Sequence, residues 1–113
     1  MTTHIEKRKQ TFKVLDENIT VEADALIDDK TSKILFDLDL DNLAINLAFN
    51  KYRQKNDIMF PNEIVEMRKR HQLSQDSLAK LIGMSPNMIV RYEKGVLVSK
   101  RVNNLLQKVN NMH

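Results

Sequence analysis

Apolar residues change their period near the middle of this chain. Over "ITVEADA" (19–25), Ile19, Val21, Ala23 and Ala25 alternate with Thr20, Glu22 and Asp24, the period of a half-buried strand. Phe12 and Val14 repeat the alternation before "DEN" (16–18), and Ile34, Phe36 and Leu38 repeat it after "DDKTS" (28–32). Both intervening stretches have turn composition. The pattern predicts a three-stranded antiparallel meander over roughly 11–15, 19–27 and 33–37. So small a sheet needs something to cover its apolar face.

From Asp39 or Asp41, either of which can cap, Leu40, Leu43, Leu47 and the Ala44/Ala48 pair recur at i, i+3, i+4 spacing. This predicts a helix of about four turns that covers the meander. Pro61 disfavours helix in the residue before it, so "DIMFP" (57–61) is the expected junction. Beyond it the chain reads as four short helices. Asn62 can cap 63–72, Ser74 can cap 75–82, Ser85 can cap the helix from Pro86, and Ser99 can cap 100–109. The fold class is therefore α+β. A meander plus helix (1–60) is followed by an all-α bundle of four to five helices (61–113).

Charge divides along the same line. Residues 1–60 carry nine Lys/Arg against eleven Asp/Glu, a net of −2, and residues 61–113 carry nine against four, a net of +5. A basic C-terminal half points to a polyanionic partner for that half. No apolar run is long enough to span a bilayer, and the N-terminal "MTTHIEKRKQ" lacks the apolar core of a secretory signal. A cytoplasmic protein that meets the nucleoid is the expectation. Cysteine is absent, which removes disulfides and thiolate metal sites.

The two glycines sit at Gly83 and Gly95, inside "LSQDSLAKLIGMSPNMIVRYEKG" (73–95). Two helices crossing steeply through a short turn need a small residue at the close approach, supplied by Ala79. They also need a residue that accepts positive φ in the turn, supplied by Gly83. Leu78, Ile82, Met84, Ile89 and Tyr92 are the expected inward positions, and Gly95 is the expected stop. This is the pattern of a helix-turn-helix. The run resembles the Cro/repressor-type (Xre) family, whose "LSQ…LA…G(x)S…I.RYE.G" it follows over 63 to about 108.

A wider resemblance starts from "KRKQTFKVLDENITVEADALIDDKTSKILFD" followed by a helix and this domain. That order is similar to MqsA (YgiT-type) antitoxins and to relatives encoded beside Panacea (SocA-like) proteins. Many of those carry zinc-binding Cys-x-x-Cys pairs. Here "IDDKTSK" (27–33) stands where the second pair would lie, so no metal and no cofactor is expected.

The resemblance implies that the second helix of the motif enters the major groove. Asn87 matches a base-reading position and suits adenine, while Arg91, one turn on, suits guanine. Met88 can touch a thymine methyl or be simply an exposed apolar residue. Gln75 is expected to hold a phosphate and to brace Asn87; Ser85, Lys80 and Lys94 are further positioning candidates. Glu93 reads as an ion-pair partner inside the domain. His4, His71 and His113 have no ligand spacing and read as surface residues. No catalytic constellation is present, and an enzyme is unsupported.

One such domain reads few base pairs, so a homodimer on a palindromic double-stranded operator is expected. Val96, Leu97, Val98, Leu105, Leu106 and Val109 are the expected interface. The function expected is an autoregulating repressor, the antitoxin of a toxin–antitoxin pair, with a toxin or Panacea-like partner on residues 1–60. A phage or mobile-element regulator without a toxin, and a protein-binding adaptor, are the alternatives.

Overall fold

A computed structural model describes residues 1–112; the reading of His113 lies outside the described residues. Three antiparallel strands are followed by five helices. The chain forms two compact units, Met1–Gln54 and Lys55–His113.

In the first unit, β1 (Thr3–Val14) and β2 (Glu17–Asp28) make a long hairpin, and β3 (Ile34–Leu35) adds a two-residue third strand beside β2. Alternation on β2 is as expected: Ile19, Val21, Ala23, Ala25 and Ile27 are buried, while Thr20, Glu22 and Asp24 are exposed. β1 is longer than the expected 11–15. Its covered face continues from Val14 and Phe12 through Gln10, Arg8 and Glu6, opposite Val21, Ala23 and Ala25. Pairing with a strongly apolar β2 holds these polar residues in the ladder, where composition hid them. The Arg8 guanidinium donates to the Glu6 carboxylate (2.9 Å) and the Gln10 amide donates to the Ala23 carbonyl (3.2 Å), so these groups stay satisfied. The turn is Leu15–Asp16 rather than 16–18, with Leu15 at φ +56°.

β3 is shorter than the expected 33–37 because Asp37 is recruited to start the next helix. Its carboxylate accepts from the Leu40 N–H (2.9 Å), so the cap is Asp37 and neither Asp39 nor Asp41. Helix α1 spans Leu38–Asn56. It buries Ala44, Ala48 and Tyr52 but leaves Leu43 and Leu47 60% and 46% exposed, so only the alanine part of the expected apolar face turns inward. Helical spacing identified two adjacent stripes of α1 without deciding which one turns inward.

The second unit is a bundle of α2 (Pro61–Arg70), α3 (Gln75–Ile82), α4 (Pro86–Glu93) and α5 (Lys100–Asn110). α2 begins two residues earlier than expected, with Pro61 at its first position and Phe60, not Asn62, as the boundary residue. The Glu63 carboxylate accepts from the Phe60 N–H (2.9 Å). Ser74 and Ser99 cap α3 and α5 through the N–H groups of Ser77 and Val102. The core holds Ile64, Met67, Leu78, Ile82, Ile89, Val98 and Leu106. Asn103 is buried in the same core; it accepts from the Met59 N–H (2.8 Å) and donates to the Asp57 carbonyl (3.0 Å). Those two bonds tie the segment entering the bundle to α5. No helix among the described residues is long and apolar enough to cross a membrane.

Candidate nucleic-acid interface

The interface candidate is built on α3 and α4. Ala79 is 1% exposed, and Leu78, Ile82, Ile89 and Tyr92 are buried around it, with Met84 half-buried. A small residue at 79 suits the close approach of the two helices. Gly83 ends α3 in the left-handed region (φ +74°, ψ +38°), and the Met84 N–H closes back onto the Ala79 carbonyl (2.9 Å). Pro86 then starts α4 at once. Gly95 follows α4 at φ +121°. The two glycines mark the turn and the stop, as their spacing predicts.

A buried polar network locks this pair of helices. Arg68 of α2 donates from Nε and Nη2 to the two oxygens of Glu93 (3.0 and 3.1 Å), and from Nη1 to the Leu73 carbonyl (3.2 Å). Gln75 donates to the same Glu93 carboxylate (3.2 Å). The Glu93 side chain is 8% exposed. It acts within the domain, as expected. The amide that was expected to brace Asn87 therefore braces Glu93 instead, because Gln75 at the start of α3 faces the end of α4. Arg68 had no distinguishing signal in the sequence: it lies in the basic run "RKR" (68–70), and only packing selects the one that turns inward.

With Glu93 tied inward, the outer surface of α4 is free of carboxylate. Asn87 and Arg91 are exposed and one turn apart on it, and Lys94 is exposed at its end. Met88 and Val90 are half-buried. Ser85 sits at the N-cap position with no hydrogen bond from its side chain to the helix, and Lys80 is exposed on α3. The first turn of α4 has no acidic residue to offset its N-terminal partial positive charge. Burial raises the Tyr92 phenol above its ordinary range, so it stays neutral beneath this surface.

Residues 64–106 match the helix-turn-helix family (HTH_3). This part of the chain is a helix-turn-helix domain. Domains of this family bind DNA, which supports a DNA-binding transcriptional regulator. No curated protein matches the chain. The match takes in the bundle from Ile64 to Leu106 and none of the meander.

The expected dimer residues divide. Val98, Leu106 and Val109 are buried in the bundle's own core and have no surface left to offer a partner. Val96 is 46% exposed, and Leu97 and Leu105 are half-buried. His4 lies at the surface, as expected. It is half-exposed but engaged, its Nδ1 with Asp29 and its Nε2 with Glu6 (3.1 Å). Hydrogen bonds to Asp29 and then Glu6 raise its pKa above the ordinary value.

Proposed function

We propose that this protein is a sequence-specific transcriptional repressor that reads its operator with α4. Asn87 pairs with adenine and Arg91 with guanine, each contact discriminating by about 1–3 kcal/mol. Met88 lies against a thymine methyl, and Ser85, Gln75, Lys80 and Lys94 take phosphates. The observation that carries this reading is the exposed Asn87/Arg91 face on a helix whose sole carboxylate is bonded inward.

Two copies read a palindrome, meeting through Val96, Leu97 and Leu105. The operon repressed is the protein's own, and residues 1–60 bind the product of a neighbouring gene, a toxin or Panacea-like protein. The exposed Leu43 and Leu47 in that half favour a protein-binding role for it. A regulator of a phage or mobile element is the second reading, and gene neighbourhood separates the two.

The experiment is a genomic-fragment pull-down with sequencing, at one stated salt concentration, comparing wild type with Asn87→Ala/Arg91→Ala. Wild type enriches a palindrome upstream of its own gene and the double variant loses it. Enrichment of nothing by the folded wild type sinks the repressor reading.

A further inference from the structure

β2 has an unfinished edge. Its Asp29 end shows which way the backbone groups point: the Asp29 N–H bonds to Thr2 of the β1 side (3.2 Å), whereas the Asp28 N–H bonds to Lys33 on the β3 side (3.0 Å). Backbone groups alternate sides along a strand. Thr20, Glu22 and Asp24 therefore aim their N–H and C=O groups away from β1. β3 pairs with β2 only at Leu26 and Ile27, so among the described residues Ile19–Ala25 has no strand on that side. Seven residues at about 3.3 Å each make an open edge of roughly 23 Å.

The space beside that edge is not filled by α1. A cavity of about 800 Å³ runs between Thr20, Val21 and Glu22 on one wall and Leu47, Asn50 and Gln54 on the other. A second, of about 340 Å³, continues it along Ala23 and Asp24, against Leu40 and Leu43. Lys51 spans the gap at one end, donating from Nζ to the Thr20 carbonyl (2.6 Å). The groove thus has hydrogen-bonding backbone on one side and leucines on the other. Along its rim, Asp24 is paired with Lys7 (3.6 Å), but Glu22 has no ion-pair partner among the described residues.

Unpaired edges are normally blunted by proline, by a bulge or by a covering element. Over 19–25 there is neither proline nor bulge; the charges of Glu22 and Asp24 and the Lys51 ammonium on the Thr20 carbonyl guard the edge in part, and Thr20, Glu22 and Asp24 are all exposed. We propose that this groove docks an extended segment of a partner protein. The segment pairs with β2 as an added strand, is apolar at alternate residues that lie on Leu43 and Leu47, and carries a lysine or arginine beside Glu22. Backbone pairing supplies affinity and the alternate side chains supply specificity. The proposal rests on the reading of residues 1–60 as the partner-binding half and names the chemistry of that partner.

The test uses the full chain and an array of nine-residue peptides. Half alternate Leu, Ile or Val with Lys, Arg or Thr; half have the same compositions in block order. The alternating set binds and the block set does not. The best binder is then measured by fluorescence anisotropy against a copy N-methylated at alternate amides, which keeps the side chains and removes the ladder. Affinity falls more than tenfold on N-methylation.

Glu22→Pro deletes an outward N–H without touching a bond to β1, and Leu43→Asp/Leu47→Asp changes the opposite wall at exposed positions. Each weakens binding more than tenfold while leaving the operator pull-down intact. Equal binding by block-order or N-methylated peptides overturns the proposal. So does a wild-type dimer that Glu22→Pro makes monomeric, because the groove's occupant is then a second copy. Loss of the pull-down by Asn87→Ala/Arg91→Ala is read separately, so either half can fail alone.

Discussion

At the scale of single residues, backbone conformation gives the sharpest expectations. A β-carbon on Gly83 meets nothing within 4 Å, so the left-handed φ is the whole cost of a side chain there. Gly83→Ala should lower stability by about 1–2 kcal/mol, read as a shift in the urea midpoint with an unchanged slope. Leu15 is the opposite case: a bulky residue at φ +56° in a two-residue turn. Leu15→Gly should raise stability by up to about 1 kcal/mol in the same measurement. Asn103 shows what a polar residue does inside an apolar stripe. Asn103→Ala orphans the Met59 N–H and the Asp57 carbonyl, and should cost about 2–3 kcal/mol in chemical denaturation. Its position in "VNNLLQKV" (102–109), in phase with buried Leu106, was a signal available in the sequence. His4 titrates above the ordinary histidine value near 6.5 because Asp29 and Glu6 favour its charged form. Its contribution to folding is complete below the unfolded value and fades as pH rises through the raised folded value. An NMR titration of the His4 ring should find that raised midpoint, and Asp29→Asn should bring it down.

Among elements, the Arg68–Glu93–Gln75 network joins the end of α2, the start of α3 and the end of α4. Removing Arg68 leaves a nearly buried carboxylate with Gln75 as its remaining side-chain donor. Arg68→Ala should therefore cost about 3 kcal/mol or more, and thermal unfolding of the isolated variant reads it directly. Had Glu93 faced outward, it would have repelled phosphate from the same helix that carries Asn87 and Arg91. The fold thus spends its one carboxylate on α4 inside the domain. Element boundaries were legible wherever a cap announced them: α3 is 75–82 as expected from Ser74 and Gly83. They were not legible where the cap competed with another role. Asp37 ended β3 early by capping α1, and Phe60 took the boundary from Asn62 because Glu63 reaches back to its N–H.

For the whole molecule, the charge division sets the expected binding behaviour. The bundle's half-chain carries +5 and the meander's half −2. If Lys80 and Lys94 each neutralise one phosphate, replacing both by alanine should flatten the slope of log affinity against log salt by about 1.8. Base preference should be unchanged. Asn87→Ala and Arg91→Ala should instead leave the affinity for unrelated DNA nearly intact while relaxing preference at one base position each. Competition binding at two salt concentrations, against operator and scrambled duplex, distinguishes the two kinds of residue.

Local chemistry was sufficient for the helix-turn-helix. Ala79, Gly83, Pro86 and Gly95 act through their own sterics, and Ser74 and Ser99 cap within one turn, so their consequences could be read without knowing the neighbours; Ser85 takes the N-cap position without a side-chain cap bond. The alternation of β2 was equally local. Long-range pairing decided the rest. β1 extends back to Thr3 because β2 holds it there, although Glu6, Arg8 and Gln10 have little strand character of their own. Which stripe of α1 turns inward, Ala44/Ala48/Tyr52 or Leu43/Leu47, depends on what the helix meets, since both stripes have the same period. Val98, Leu106 and Val109 became core for the same reason. The open edge of β2 is a fact about where β3 stops, and only the assembled sheet could reveal it.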